Sequence, residues 1–276
     1  MKKIFALCLV ALMIFSLAAC GGDDAKANKY GLINEGKLMV AMEAEYPPME
    51  YKDENGKLVG FDVEMMAAIG EKLGVEIEYV EMAWDGIFMG LSASHYDAVC
   101  SGVSVTQERI DAQQMQFSEA YMNNGQYIIV REGVTNVNQP EDLAGLKVGV
   151  QFQTTADIAA QKYKNEDGID FELTAYDSVQ QAFLGLEAGQ LDVVVADASV
   201  AVAYVNANDD KFDISNAKLT NEPMAIAVAY GNDELTEALN GALAELVADG
   251  TLAKLSEKYV GTDLTQNIDM NLVSVE

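Results

Sequence analysis

From Lys37 onward, short aliphatic runs alternate with longer stretches whose apolar residues recur every three or four positions. "KLMVAME" (37–43), "VEIEYVEM" (75–82) and "YDAVCSG" (96–102) read as strands, and "GFDVEMMAAIGEKLG" (60–74) and "WDGIFMGLSAS" (84–94) between them as helices. The rhythm restarts with "LKVGVQ" (146–151), a helical "TTADIAAQKY" (154–163), "IDFELTAY" (169–176), a helical "SVQQAFLGLEAGQ" (178–190) and "LDVVVAD" (191–197). Strand and helix alternating in this way predict an α/β protein with mostly parallel sheets flanked by helices. The helix after Phe61 is expected to use Asp62 as its cap and to place Val63, Met66, Ala67 and Gly70 on one face.

The two units resemble one another. "GLSASHYDAVCSG" (90–102) and "GLEAGQLDVVVAD" (185–197) align without a gap and share Gly, Leu, Ala, Asp and Val. Each reads as a helix end, a tight loop and a buried strand, which puts Gly102 and Asp197 at corresponding strand ends. Between the units run "NNGQYIIVRE" (123–132) and "NEPMAIAVAY" (221–230), both apolar and extended. The second is expected to carry the chain back to the first unit, where two closing helices follow. Leu235, Leu239 and Leu246 have helical spacing there, and Gly250 suits the turn between the helices. Two crossings make a hinge.

Open α/β sheets bind ligands beyond the carboxyl ends of their strands. That rule selects Glu43 to Pro48, Gly102 to Arg109, Gln151 to Thr155, and Asp197. Taken alone, Arg109 in "SGVSVTQER" reads equally as a surface cation paired with Glu108 or Asp111; its place after a strand end makes it a candidate for binding.

Composition narrows the chemistry. The chain has 276 residues and a formal net charge of −27, which makes nucleic acid an implausible partner. Half of its residues are hydrophobic and four are proline, enough apolar material for one large or two modest domains. The opening "MKKIFALCLVALMIFSLAAC" joins two lysines to an apolar run too short for a comfortable membrane span, the plan of a signal peptide over 1–19. With Cys8 removed, two cysteines would remain, Cys20 and Cys100, and no disulfide framework is available. Residues 20–34 read as a tether.

No phosphate loop, G-x-G-x-x-G, HExxH, C-x-x-C pair or EF-hand loop is present. The one histidine, His95, lies in the polar loop "SASHYD" before a strand, the end opposite the expected site, which argues against a serine triad. A multi-histidine zinc centre is excluded, and neither a metal nor a cofactor is expected. What remains is a cleft with opposite charges on its walls. Arg109, with Ser104, Thr106 and the N–H groups after Gly102, suits a carboxylate. Asp197 across the cleft, with Glu43 as a possible second acid, suits an ammonium. Tyr46 and Trp84, both just past strand ends, could flank an aliphatic stem or an amine, although singly each reads as core.

These residues resemble the family 3 solute-binding proteins of bacterial ABC transporters for polar amino acids. "GFDVEMMAAIGEKL" (60–73) is similar to the family's run of Gly, aromatic, acid, aliphatic, acid and apolar helix; "SGVSVTQER" to its Gly-x-Ser/Thr-x-Thr-x-x-Arg segment; "DVVVADAS" to its second-lobe strand ending in an acid. "LAAC" resembles a lipobox, with Cys20 the lipidated residue. The resemblance runs from about Gly36 to Gly261 and implies a two-lobed periplasmic-binding-protein type II (Venus flytrap) fold. Lobe one would span 35–122 and 226–276 and lobe two 126–221, with hinges near 123–125 and 222–225.

By position it implies that Arg109 binds an α-carboxylate, helped by Ser104, the backbone of Gly102 and Thr155. Asp197 would take the α-amino group, and Tyr46 and Trp84 would surround the side chain. Gln153 departs from the glycine that many members carry there, while Gln151 and Glu43 stand where members sense the side chain. The implied function is binding of an L-amino acid, polar or basic side chains favoured, by an exported monomer. A lipid would hold it on the outer face of the bacterial cell membrane, for delivery to a permease with a separate ATPase; no catalytic residues are expected. Two alternatives are an exported dehydratase-like enzyme acting on a small carboxylic acid, with Glu43 as general acid, and an amino-acid sensor subunit.

Overall fold

Aliphatic and β-branched runs form the strands, and the periodic stretches the helices, in the structure of this chain, a computed structural model that describes residues 29–208 and 210–272. The expected signal peptide and Cys20 lie outside the described residues. In chain order the first half comprises β1 (Lys37–Met42), β2 (Glu45–Tyr46), β3 (Glu50–Lys52), β4 (Leu58–Val59), α1 (Phe61–Leu73) and β5 (Glu76–Glu81). It continues with α2 (Ile87–Ser92), β6 (Ala98–Val99), α3 (Gln107–Asp111) and β7 (Met115–Phe117). The second half runs β8 (Gln126–Arg131), β9 (Lys147–Gln151), α4 (Thr155–Asn165), β10 (Glu172–Tyr176), α5 (Val179–Glu187), β11 (Val193–Asp197), α6 (Ala198–Ala207) and β12 (Phe212–Lys218). The chain then returns as β13 (Ala227–Ala229), α7 (Asp233–Ala248) and α8 (Thr251–Tyr259).

Two five-stranded sheets result, ordered β5-β1-β6-β13-β7 and β10-β9-β11-β8-β12. In each, three strands are parallel and two more join antiparallel: β1 pairs in parallel with β5 and β6, and β9 with β10 and β11, while β13 and β8 run against their neighbours. β8 and β13 are the strands on which the chain enters or re-enters a lobe, and β7 and β12, at the sheet edges, are those on which it leaves. This is the two-lobed type II arrangement.

Helices cover both faces. Leu38, Val40 and Met42 of β1 pack with Met65, Met66 and Ile69 of α1 and with Leu239 and Leu246 of α7, while Ala41 faces Ile87 and Leu91 of α2. In the second lobe, Val148 and Val150 meet Ala159 and Tyr163 of α4, and Val194 and Ala196 meet Ala182, Phe183 and Leu186 of α5. Each such large aliphatic side chain contributes about 1.5–3 kcal/mol by leaving water. Gly250, in the left-handed region at φ 76°, makes the expected turn between α7 and α8.

Several expectations are corrected. Asp62 is not the cap of α1: Gly60 occupies that position at φ 139°, where a Cβ would lie 2.1 Å from the Met49 carbonyl oxygen, and Asp62 is instead fully buried. Ala67 is exposed, so the buried face of α1 runs through Met65, Met66 and Ile69. The helix expected from Trp84 begins as a 3-10 turn over Trp84–Gly86 before α2. The tether is not slack to its end, because Leu32 is buried and the Ile33 N–H donates to Asp97 Oδ1 at 2.7 Å.

The crossings between lobes are short and cross-tied. Met224 bridges to both Ser104 and Met122, and the Glu222 N–H donates to the Asn124 carbonyl at 3.1 Å. Beyond α8 the chain runs back over this hinge. Asn123 donates from its N–H to the Leu264 carbonyl (2.8 Å) and from its amide to the Gln266 carbonyl (2.8 Å). Asn221, on the other crossing, donates to the carbonyls of Asp269 (2.9 Å) and Asn271 (2.8 Å). One strap thus holds both crossings. No helix among the described residues is long and apolar enough to cross a membrane.

Candidate functional site

The first lobe supplies one wall from its strand ends. Beyond β1, the Glu43 N–H donates to Ser101 Oγ at 3.0 Å, which ties that strand end to the one after β6. Gly102 then takes φ +56°, where a Cβ would come within 2.9 Å of the Tyr46 ring; only glycine lets the ring approach the loop this closely. Arg109 sits on α3, capped by Thr106, whose Oγ1 accepts from the Arg109 N–H at 3.2 Å. Its guanidinium does not pair with Glu108 or Asp111. Nη1 donates to the Ser104 carbonyl at 2.7 Å, and the group lies 5.0 Å from the Phe88 ring centre and 5.8 Å from that of Trp84. Arg109 as a residue is half-buried, but its charged end is enclosed. Burial therefore pushes its pKa below the ordinary value, against the opposing negative charges of Glu222 and Asp197.

The second lobe supplies the other wall. Asp197 ends β11, where its Oδ1 accepts from Asn124 Nδ2 (2.7 Å) and Gln126 Nε2 (2.6 Å). Burial raises its pKa, opposed by hydrogen bonds from Tyr46 and Asn124. Thr155, the first residue of α4, accepts from Gln126 Nε2 at 2.9 Å. Gln153 adopts φ 59°, the left-handed conformation that explains why glycine suits this position, and its N–H is held by Asp157 Oδ2 at 3.0 Å.

Three residue pairs join the walls through four hydrogen bonds. The Tyr46 hydroxyl donates to Asp197 Oδ2. The Gln151 amide donates to both oxygens of Glu43 (2.9 and 2.8 Å), and Trp84 Nε1 to the Gln153 carbonyl (3.1 Å). These bonds hold the lobes together around a pocket whose atom-free space, counted with the solvent at its mouth, is about 280 Å³. All nine residues expected at the site (Glu43, Tyr46, Trp84, Gly102, Ser104, Arg109, Gln151, Thr155 and Asp197) line it, together with Ser101 and Thr154. Burial pushes the Glu43 carboxyl up to about 7, against the bond from Gln151.

One expected contact is corrected. The Gly102 N–H donates to Asp62 Oδ2 at 2.8 Å, inside the first lobe, and is not available to an anion in the cavity. The sequence reading also missed Asn124, whose amide donates to Ser104 Oγ (3.3 Å) in one lobe and to Asp197 in the other, and Gln126, which binds Asp197 and Thr155. Both lie in "NNGQY", where polar residues opening an apolar strand were the available signal. Phe88 was missed because it reads as core.

A cavity between two hinged lobes, with an enclosed guanidinium on one wall and an enclosed carboxylate on the other, defines a ligand-binding clamp. The chain belongs to the bacterial extracellular solute-binding proteins, family 3, matching that family over residues 38–262. It is 31% identical over 263 residues to the L-cystine-binding protein TcyJ of Escherichia coli K12, covering 94% of this chain and 96% of that one. Among solved structures it is similar to an ancestral arginine-binding protein bound to arginine, at 41% identity and a TM-score of 0.74, covering 81% of this chain and 98% of the other. It is also similar to an ancestral amino acid-binding protein described as a precursor of cyclohexadienyl dehydratase (33% identity, TM-score 0.74, covering 82% and 96%).

Proposed function

We propose that this chain binds an L-amino acid with a polar or basic side chain in the interlobe cavity and hands it to a membrane permease driven by a separate ATPase. The observation that carries this reading is the pairing of Arg109 and Asp197 on opposite walls of one cavity. Arg109 would take the α-carboxylate through the guanidinium N–H groups not used by Ser104, with the Ser104 and Thr155 hydroxyls beside it. The α-ammonium would take over from the Tyr46 hydroxyl at Asp197. Tyr46 and Trp84 would enclose the side chain, and Glu43 with Gln151 would meet its tip.

The lobes (35–122 with 226–276, and 126–221) would turn about 123–125 and 222–225, so that a zwitterion reaches both charges only on closure. Such a ligand stabilises the closed form by its differential contacts. Cys20 would carry a lipid and keep a monomeric, exported protein at the outer face of the membrane; one acyl chain alone binds weakly and reversibly.

A thermal-shift screen of the twenty L-amino acids and L-cystine tests this, because a ligand that binds only the folded state raises the melting temperature. At a hundred times the dissociation constant the gain is about 2.7 kcal/mol, several degrees. No shift with any of them would overturn the reading. A second reading, a dehydratase acting on a small carboxylic acid, rests on the Glu43 carboxyl, which is enclosed in the cavity and half protonated near pH 7. Recovery of unchanged ligand after prolonged incubation is expected; a dehydrated product would favour the enzyme.

A further inference from the structure

Beneath the wall that carries Ser101, Gly102 and Ser104, two acids of the first lobe, Glu50 of β3 and Asp62 of α1, are each wholly buried. Glu50 Oε1 accepts from Ser101 Oγ at 2.5 Å; Asp62 Oδ2 accepts from the Gly102 N–H at 2.8 Å and the Tyr121 hydroxyl at 3.0 Å. The remaining oxygens, Glu50 Oε2 and Asp62 Oδ1, are buried with no N–H or O–H donor, and the only other donor to the pair is the weak one of the Cys100 thiol, which hydrogen-bonds to Asp62. No lysine, arginine or histidine among the described residues donates to either group. The other titratable groups facing them are Glu43, Tyr46 and Cys100, none of them cationic.

Two buried anions in contact, each with an unpaired oxygen and no counter-ion, would cost several kcal/mol apiece. A single proton removes one of the two charges and turns the repulsion into a hydrogen bond. Placed on Glu50 Oε2, it is donated to Asp62, within hydrogen-bonding reach, and leaves Asp62 a carboxylate able to hold Gly102 and Tyr121. We propose that Glu50 keeps this proton at neutral pH and shares it with Asp62, and that the shared proton fixes the 100–104 loop under the ligand cavity, making Glu50 a positioning residue. Burial, the first cause, and the Asp62 charge next both push the Glu50 carboxyl well above its ordinary value, the direction this arrangement needs. The consequence for binding rests on the amino-acid reading above; the protonation itself does not.

Infrared difference spectra of the wild-type protein and Glu50→Gln, taken at about pH 8 where the Glu43 carboxyl is mostly ionised, test the proton directly. A carboxylic-acid carbonyl band present in the wild type and missing in the variant is expected. Absence of the band, or its persistence in Glu50→Gln, would overturn the proposal. Binding of L-arginine, L-glutamine or L-cystine tests the positioning role. Glutamine can donate to Asp62 and accept from Ser101, so Glu50→Gln should keep affinity within about threefold, whereas Glu50→Leu leaves both unpaired and should lose about tenfold. Equal losses in the two variants would overturn the positioning role, and Glu50→Gln alone decides it against wild type if Glu50→Leu does not fold. Failure of all three amino acids to bind counts against the amino-acid reading, while the infrared result still decides where the proton lies.

Discussion

Replacing Arg109 by methionine separates binding from folding. The arginine holds its charge in an enclosed position, with no carboxylate within salt-bridge distance among the described residues, and that burial disfavours the charged form. Its internal bonds are one N–H to the Ser104 carbonyl and the faces of Phe88 and Trp84, against which a methionine can also lie. Losing the guanidinium should therefore leave the ligand-free melting temperature unchanged or slightly higher.

The bound state loses much more. A hydrogen bond to a charged group contributes about 1.5–3 kcal/mol, and removing one partner of a desolvated pair costs about 3–5 kcal/mol. Taking the lower end of the second range, about 3 kcal/mol, affinity should fall at least about a hundredfold. Calorimetry gives the affinity and thermal melting of the ligand-free variant gives the stability. Near wild-type affinity would refute the carboxylate role, and a loss of affinity that merely tracks a drop of many degrees in melting temperature would show Arg109 to be structural.

Two further outcomes follow from the geometry. Because Glu43 titrates near 7 against an ordinary 4.5, in the ligand-free protein it adds stability that is fully present below about 4.5 and is lost as pH rises through about 7. A basic side chain against Glu43 favours its ionised form, so L-arginine or L-lysine should release about half a proton at pH 7 and bind about tenfold more weakly at pH 6 than at pH 8. Calorimetry in buffers of unlike ionisation enthalpy checks this, with Glu43→Gln as the flat control; a flat wild-type profile for a basic ligand that binds would place its side chain elsewhere. Asn221→Ala cuts two bonds between the strap and the second crossing and should cost about 1–2 kcal/mol of stability while changing the scattering-derived balance of open and closed forms. An unchanged balance would mean that the strap does not restrain the hinge.

Much of the architecture was readable because the hydrophobic period changes cleanly between strands and helices, and because the strand-end rule selects short segments. Nine residues chosen that way meet in one cavity although they come from loops more than a hundred positions apart. The direction of individual bonds was not readable. Gly102 could be placed at a strand end, yet whether its N–H faces the cavity or Asp62 depends on a φ of +56° that no pattern encodes. Asp62 was misassigned because an acid near a helix start ordinarily serves that helix, whereas here Gly60, two residues before it, lets the backbone turn, and the carboxylate is buried in the core. Asn124 and Gln126 gain their roles only from the closeness of two crossings distant in sequence.

The contact between the Tyr46 hydroxyl and Asp197 also bears on selectivity. An arriving compound does not meet a bare anion but one already satisfied by a neutral donor, so it gains only the difference between its own bond and the phenol's. A charged ammonium exceeds a hydroxyl in that exchange; an amide or a hydroxy acid roughly matches it, and a ligand with no donor that still displaces the ring strands the carboxylate. Discrimination against deaminated analogues is in this way built into the resting contact, before any part of the side chain is sensed.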